Sequence, residues 1–143
     1  LIGVANVWQA ALQDMKADGW GRLIAVSSTA GLKGYPYVSA YCAAKHGVVG
    51  LTRAVALELA STDITVNSIC PGFTETPLLE RSVENIIAKT GMSADAAYQS
   101  LRAGNPQKRF IQTDEVAAMT VWLCSDGARS VTGQALSLSG GEI

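Results

Sequence analysis

The 143 residues are 48% hydrophobic and 16% charged, the balance of one globular domain with a buried core rather than of a disordered chain. A formal net charge of −1 offers no basic face to nucleic acid and no cationic patch to an anionic membrane, so neither is expected as a partner. Lys45, Arg53 and Glu58 interrupt the longest apolar stretches, and no membrane span or signal peptide is visible. Cys42, Cys70 and Cys124 are odd in number and widely spaced, which suits neither a disulfide framework nor a zinc site. They read as buried thiols of a reducing cytoplasm, and no metal is expected.

Val4 to Ala17 places Val4, Val7, Trp8, Ala11, Leu12 and Met15 at helical spacing and stops at Asp18-Gly19, so it is predicted as a helix. Arg22 to Ser27 is a short apolar run of strand length. A long helix follows over Ser39 to Ala60, and a second strand over Ile64 to Cys70, with glycine or proline punctuation after each strand. Strand, helix and strand in this order make a right-handed crossover with parallel strands. Leu78 to Lys89 and Ala94 to Ala103, behind a Ser93 cap, are short amphipathic pieces separated by the Thr90-Gly91 turn and followed by Gly104-Asn105-Pro106. Asp114 to Cys124 is predicted as a helix capped by Thr113, and Gln134 to Ser139 as the last strand. The fold class is α/β, helices on a parallel sheet, with no internal domain boundary. Residues 77–110 follow the Pro71-Gly72 turn past a strand's carboxyl end, where ligands bind in open α/β sheets, and read as a substrate-side lid.

Tyr41 and Lys45 stand four residues apart at the start of the long helix, one turn above each other on one face. A phenol titrates near 10 in water, roughly three units above neutrality, and accepts a proton poorly unless its phenolate is stabilised. A lysine ammonium one turn away supplies that by proximity of opposite charge. Ser28 lies where the first strand gives way to small polar residues, and its hydroxyl suits the oxygen of a carbonyl or alcohol. Together they suggest proton transfer at an oxygen coupled to hydride transfer at its carbon. The plainer alternative is an amphipathic pair with the lysine stem lying over apolar surface.

Ser28, the Tyr41-x-x-x-Lys45 pair, Asn67-Ser68-Ile69-Cys70-Pro71-Gly72 followed by Thr76, and a closing Thr132-Gly133-Gln134 with Gly140-Gly141 occur in one order and spacing. With these motifs the whole chain resembles the short-chain dehydrogenases/reductases. The resemblance implies a Rossmann-like, doubly wound parallel sheet, of which these residues form the carboxyl-terminal half with about three strands. It implies Tyr41 as general acid/base, Lys45 as the group that lowers the tyrosine's pKa and binds the nicotinamide ribose, and Ser28 as the group that orients the substrate oxygen. Tyr41, Lys45, Pro71, Gly72, Thr74 and Thr76 are the implied contacts to NAD or NADP, Thr76 through the cofactor carboxamide. Against this, Pro71-Gly72 can simply turn the chain after a strand. The implied reaction is hydride transfer between NAD(P) and a small secondary alcohol or ketone. Asn105-Pro106-Gln107-Lys108-Arg109-Phe110 and the closing Gly-Gly-Glu look faintly like 3-hydroxyacyl and 3-ketoacyl members.

Ser27 and Asn67 read as strand-end structure, and Gly140-Gly141 as a terminal turn with no helix after it to bind phosphate. His46, the one histidine, is turned away from Tyr41 around the helix, and no Gly-x-Ser-x-Gly elbow accompanies it. The helix over residues 39–60 is small or apolar almost all round and must be covered on more than one side. The second cover is a partner subunit in a homodimer or homotetramer, as the family implies, or a further part of the same chain. The glycine-rich pyrophosphate turn, the residue that selects NAD or NADP, and the family's catalytic asparagine do not occur in this sequence. The expectation is therefore the carboxyl-terminal part of a domain of roughly 250 residues. Alone, the 143 residues are expected to bind dinucleotide weakly or not at all. Two alternatives stand beside an active cytoplasmic oxidoreductase: a non-catalytic dinucleotide-binding or scaffolding protein, and an inactive fragment.

Overall fold

Burial of one strand on both faces and both edges organises the molecule, which a computed structural model describes over residues 1–143. Helix α1 (Ile2–Asp18) leads into strand β1 (Gly21–Val26), and helix α2 (Ser39–Glu58) crosses to strand β2 (Ile64–Pro71). Helices α3 (Pro77–Thr90), α4 (Ala94–Ala103) and α5 (Thr113–Cys124) intervene before strand β3 (Ala135–Leu138). The sheet order is β1-β2-β3, all parallel, with Gly21 opposite Ile64, Val26 opposite Ile69, Ser68 opposite Ala135 and Pro71 opposite Leu138. All eight residues of β2 are buried, as a central parallel strand requires.

Alternation of side chains across the strands divides the core in two. Leu23 and Ala25 of β1 with Ile64 and Val66 of β2 pack against Trp8 of α1 and against Val48, Ala56 and Leu59. On the opposite face Ile69 packs with Leu123 and Ala128, flanked by Ile24, Val116, Met119 and Leu136. Helices therefore cover both faces of a parallel sheet, the expected α/β architecture.

Local chemistry sets the ends. Helix α1 stops where Gly19 turns left-handed at φ 69° and sends its N–H to the Met15 carbonyl. Helix α2 ends at Glu58, two residues short of the expected Ala60, because Thr62 turns the chain with its hydroxyl on the Leu59 carbonyl at 2.7 Å. The cap of α5 is Gln112 rather than Thr113, which is the first helical residue. Glu115 selects it, accepting the Gln112 N–H at 2.8 Å from three residues on. Asn67, fully buried in β2, donates to the Val131 carbonyl at 2.7 Å and accepts the Gln134 N–H at 3.1 Å, so it braces the approach to β3. Cys42 and Cys70 are buried, whereas Cys124 is exposed on the last turn of α5, contrary to the expectation of three buried thiols. The expected second cover of α2 is not supplied within these residues: Leu57 is 80% exposed.

The segment from Pro77 to Phe110 is clasped at its base. Thr74 bridges Ile111, Gln112 donates to the Glu75 carboxylate at 2.8 Å, and Arg109 grips Glu115 with two nitrogens at 2.6 and 2.7 Å. The Arg109 fork is the main cause that pulls the Glu115 carboxyl from an ordinary 4.5 to about 2, while it raises the arginine in turn.

Two outcomes follow from these contacts. Asn67→Ala leaves a buried carbonyl and a buried N–H unpaired, and should cost about 2–4 kcal/mol of unfolding free energy in urea titration. Glu115 has a depressed folded pKa, so its contribution is complete above about 4.5, declines as pH falls from there and is lost once pH has fallen through about 2. Carbon-detected NMR titration of its carboxyl should place the midpoint near 2, and Arg109→Met should return it toward 4.5.

Candidate active site

Three parallel strands end at one rim, and each delivers a turn there. Beyond β1, the Ser27 N–H continues the ladder onto the Ile69 carbonyl at 2.7 Å, and Ser28 opens a 3₁₀ turn over Thr29–Gly31. Beyond β2 come Gly72 to Thr76, and beyond β3 the Gly140-Gly141 turn. Ser28 is extended, and its Oγ accepts the Ala30 N–H at 3.1 Å. With that lone pair occupied, the hydroxyl proton is left to donate elsewhere.

The start of α2 is held against this turn by backbone contacts. Ser27, which is buried, donates its hydroxyl to the Lys45 carbonyl at 3.1 Å, so its role is structural as expected. At Gly31 a Cβ would lie 2.7 Å from Ser27 Oγ and 2.8 Å from the Lys45 carbonyl oxygen, so the turn and the helix approach as only glycine permits. Lys45 folds back and donates its Nζ to the Val26 carbonyl, the last of β1, at 3.0 Å. The same Nζ lies 5.5 Å from the centre of the Tyr41 ring. Tyr41 is 42% exposed, with its ring at the surface of the rim. Strand end, tyrosine and lysine are thereby brought to one place.

Burial pulls the Lys45 ammonium below the ordinary lysine value. Burial likewise pushes the Cys70 thiol up, against hydrogen bonds with Ser68, the Ser28 backbone and Ser27 and the charge of Lys45. The thiol is a neutral neighbour of the lysine. His46 is exposed, and its Nδ1 lies 2.9 Å from the Cys42 carbonyl one turn back, away from this arrangement.

The turn after β2 is internally tied. Thr74 donates to the Gly72 carbonyl at 3.0 Å and Thr76 to the Thr74 carbonyl at 3.2 Å. Thr76 is also the residue before α3; its carbonyl accepts the Leu79 N–H at 2.9 Å and the Glu80 N–H at 3.4 Å, and Pro77 has none, so Leu78 carries the first-turn N–H without a backbone partner. The Tyr41 hydroxyl, the Lys45 ammonium and the Leu78 N–H are donors of the kind that ribose hydroxyls and a carboxamide oxygen accept, while the Thr76 oxygen, its proton given to the Thr74 carbonyl, is left as an acceptor. The residues present thus fit the nicotinamide-ribose end of a dinucleotide. Three groups escaped sequence reasoning: Lys33, Tyr35 and Glu142 meet beside the Ser28 turn. The one sequence signal was an acidic residue just after the last parallel strand.

Comparisons with known proteins bear on the family and the fold of this chain. A family profile described as enoyl-(acyl carrier protein) reductase matches residues 1–142. The chain is 42% identical over 132 residues to a D-beta-hydroxybutyrate dehydrogenase of Rhizobium meliloti, covering 92% of this chain and 51% of that one. It is 44% identical over 144 residues to the D-beta-hydroxybutyrate dehydrogenase of Cupriavidus necator, covering 100% and 56%. A crystal structure of an actinorhodin polyketide ketoreductase variant with NADPH superposes with a TM-score of 0.95 at 41% identity, over 99% of this chain and 55% of that one. The chain spans about half the length of the curated relatives it matches. On the profile, the sequence identity and the shared fold together, this chain belongs to the short-chain dehydrogenase/reductase family.

Proposed function

We propose that the protein carrying these residues is an NAD(P)-dependent oxidoreductase that interconverts a secondary alcohol and a ketone. The observation that carries the reading is the placement of Lys45 Nζ 5.5 Å from the centre of the Tyr41 ring, at the strand end that bears Ser28. When bound, the nicotinamide accepts or delivers the hydride at the substrate carbon. Tyr41 gives its proton to the substrate oxygen in reduction and takes it in oxidation. The Lys45 ammonium favours the phenolate left behind, since an opposite charge at this distance in a half-buried site is poorly screened. Its hydrogen bond to the Val26 carbonyl uses one of three N–H donors and leaves two for ribose hydroxyls. The Ser28 hydroxyl, oriented by the Ala30 N–H, donates to the same substrate oxygen and fixes it before Tyr41.

Pro71, Gly72, Thr74 and Thr76 are the proposed cofactor contacts on the second turn, and residues 77–110 are the proposed lid, pivoting on the clasp at its base. The substrate class we favour is a small 3-hydroxyacyl or 3-ketoacyl compound, by analogy with the dehydrogenases and the ketoreductase named above. Either nicotinamide dinucleotide remains compatible with the residues at the rim. No helix is long and apolar enough to cross a membrane. We place the protein in the cytoplasm as a homodimer or homotetramer, joined through the outer face of α2, where Leu57 is exposed.

The test is turnover in the intact protein, followed by NADPH or NADH absorbance with an acetoacetyl thioester as the ketone. Tyr41→Phe should lower kcat by about a hundredfold or more, the scale of a positioned proton donor, with its thermal unfolding unchanged. Near-normal turnover in that variant would overturn the assignment.

A further inference from the structure

Glu142 lies past the last strand, yet its side chain is only 7% exposed and both of its partners come from the loop between Ser28 and Tyr41. Lys33 Nζ is 2.8 Å from Glu142 Oε1. The Tyr35 hydroxyl stands 2.5 Å from the same oxygen and 2.8 Å from Thr29 Oγ1. The donor order follows from chemistry: a carboxylate only accepts, so the single Tyr35 proton goes to Glu142 and Thr29 donates its own proton to the Tyr35 oxygen. Burial and the carboxylate together hold the Tyr35 phenol well above its ordinary value, so it stays a donor.

This relay ends on the turn that carries Ser28. Thr29 is buried and begins the 3₁₀ turn whose Ala30 N–H orients the Ser28 hydroxyl. At its other end, Glu142 Oε2 lies 3.4 Å from where a Cβ on Gly72 would stand, against the turn after β2. Gly140, left-handed at φ 63°, is packed so closely on Asn105 that any Cβ would collide with it. The glutamate is therefore held in register with the sheet and with the exit of the 77–110 segment.

We propose that Glu142 is a positioning residue of the candidate active site: through Tyr35 and Thr29 it fixes the turn that aims Ser28, and by packing on Gly72 it ties that turn to the proposed cofactor turn. It touches neither substrate nor cofactor. The inference rests on the reading of Ser28, Tyr41 and Lys45 given under Proposed function.

The experiment compares Glu142→Ala, Glu142→Gln, Tyr35→Phe, the Tyr35→Phe/Glu142→Ala double variant and Tyr41→Phe in the intact protein. It measures kcat and the KM for NADPH, and the hydrogen exchange of amides 28–38. Loss of an orienting contact should lower kcat about tenfold in Glu142→Ala and in Tyr35→Phe, with the KM for NADPH within about twofold. Gln keeps an acceptor for Tyr35 and should lose only about threefold. If the two groups act as one unit, the double variant should fall no further than either single one. Exchange across residues 28–38 should quicken by about tenfold in Tyr35→Phe, while α5 keeps its protection. Unchanged exchange would overturn the proposal, as would quickened exchange with unchanged kcat, which would leave the relay a structural brace only. Additive losses would overturn it as well. If Tyr41→Phe retains normal turnover, the site reading fails and the positioning role fails with it. If Tyr41→Phe is inactive and the Glu142 and Tyr35 variants are not impaired, the positioning role fails alone.

Discussion

The rest of the structure depends on the complete burial of β2. A strand with neighbours on both edges and helices on both faces must have its backbone paired along its length, because an unpaired buried N–H or C=O costs as much as a lost hydrogen bond. The parallel ladders to β1 and β3 meet that demand and fix the relative register of three strands. Since the strands are parallel, three separate turns are forced to the same rim. Ser28, the Gly72 to Thr76 turn and Glu142 are 44 and 114 residues from one another in the extreme cases of Ser28 to Gly72 and Ser28 to Glu142, yet the sheet makes them neighbours of a single cleft edge.

At that rim polar chemistry takes over from burial. Side chains with one hydrogen bond committed inside the protein retain donors for something outside it: Ser28 through Ala30 and Lys45 through Val26. Partial commitment is what preorganisation requires, because each group is held in place before a ligand arrives and little rotamer freedom remains to be lost on binding. The half-buried Lys45 shows the tension in such a design. Its lowered affinity for a proton is a cost of burial, met in a position where the Val26 carbonyl accepts one of its N–H groups.

Much of this was legible in the sequence because it is local. Helical spacing exposed α1 and α2, apolar runs with punctuation exposed the strands, and a four-residue interval put Tyr41 and Lys45 on one face. Asn67 reads from the sequence as a strand-end brace; it does brace, but from the interior of β2 and across to the approach of β3. What was not legible is pairing at long range: Tyr35 and Glu142 are separated by 107 residues, and no period or motif links them. The α5 cap was misread because a threonine hydroxyl is the stronger cap by preference, whereas the Gln112 to Glu115 interval is the one that closes the reciprocal box. Cys124 was misread because the pattern of α5 is apolar on several sides, with Val121 and Trp122 left exposed beside it.

The partner of the Lys45 ammonium is a main-chain oxygen, and the partner of the Ser27 hydroxyl is another. Both acceptors are main-chain oxygens, of Val26 and Lys45, and do not depend on the side chains around them, so the lysine's address is written in the backbone path rather than in a second side chain. Sequence drift around the rim is thereby uncoupled from the placement of this charge. A scaffold of this kind can exchange the side chains around the rim while this ammonium stays where it was.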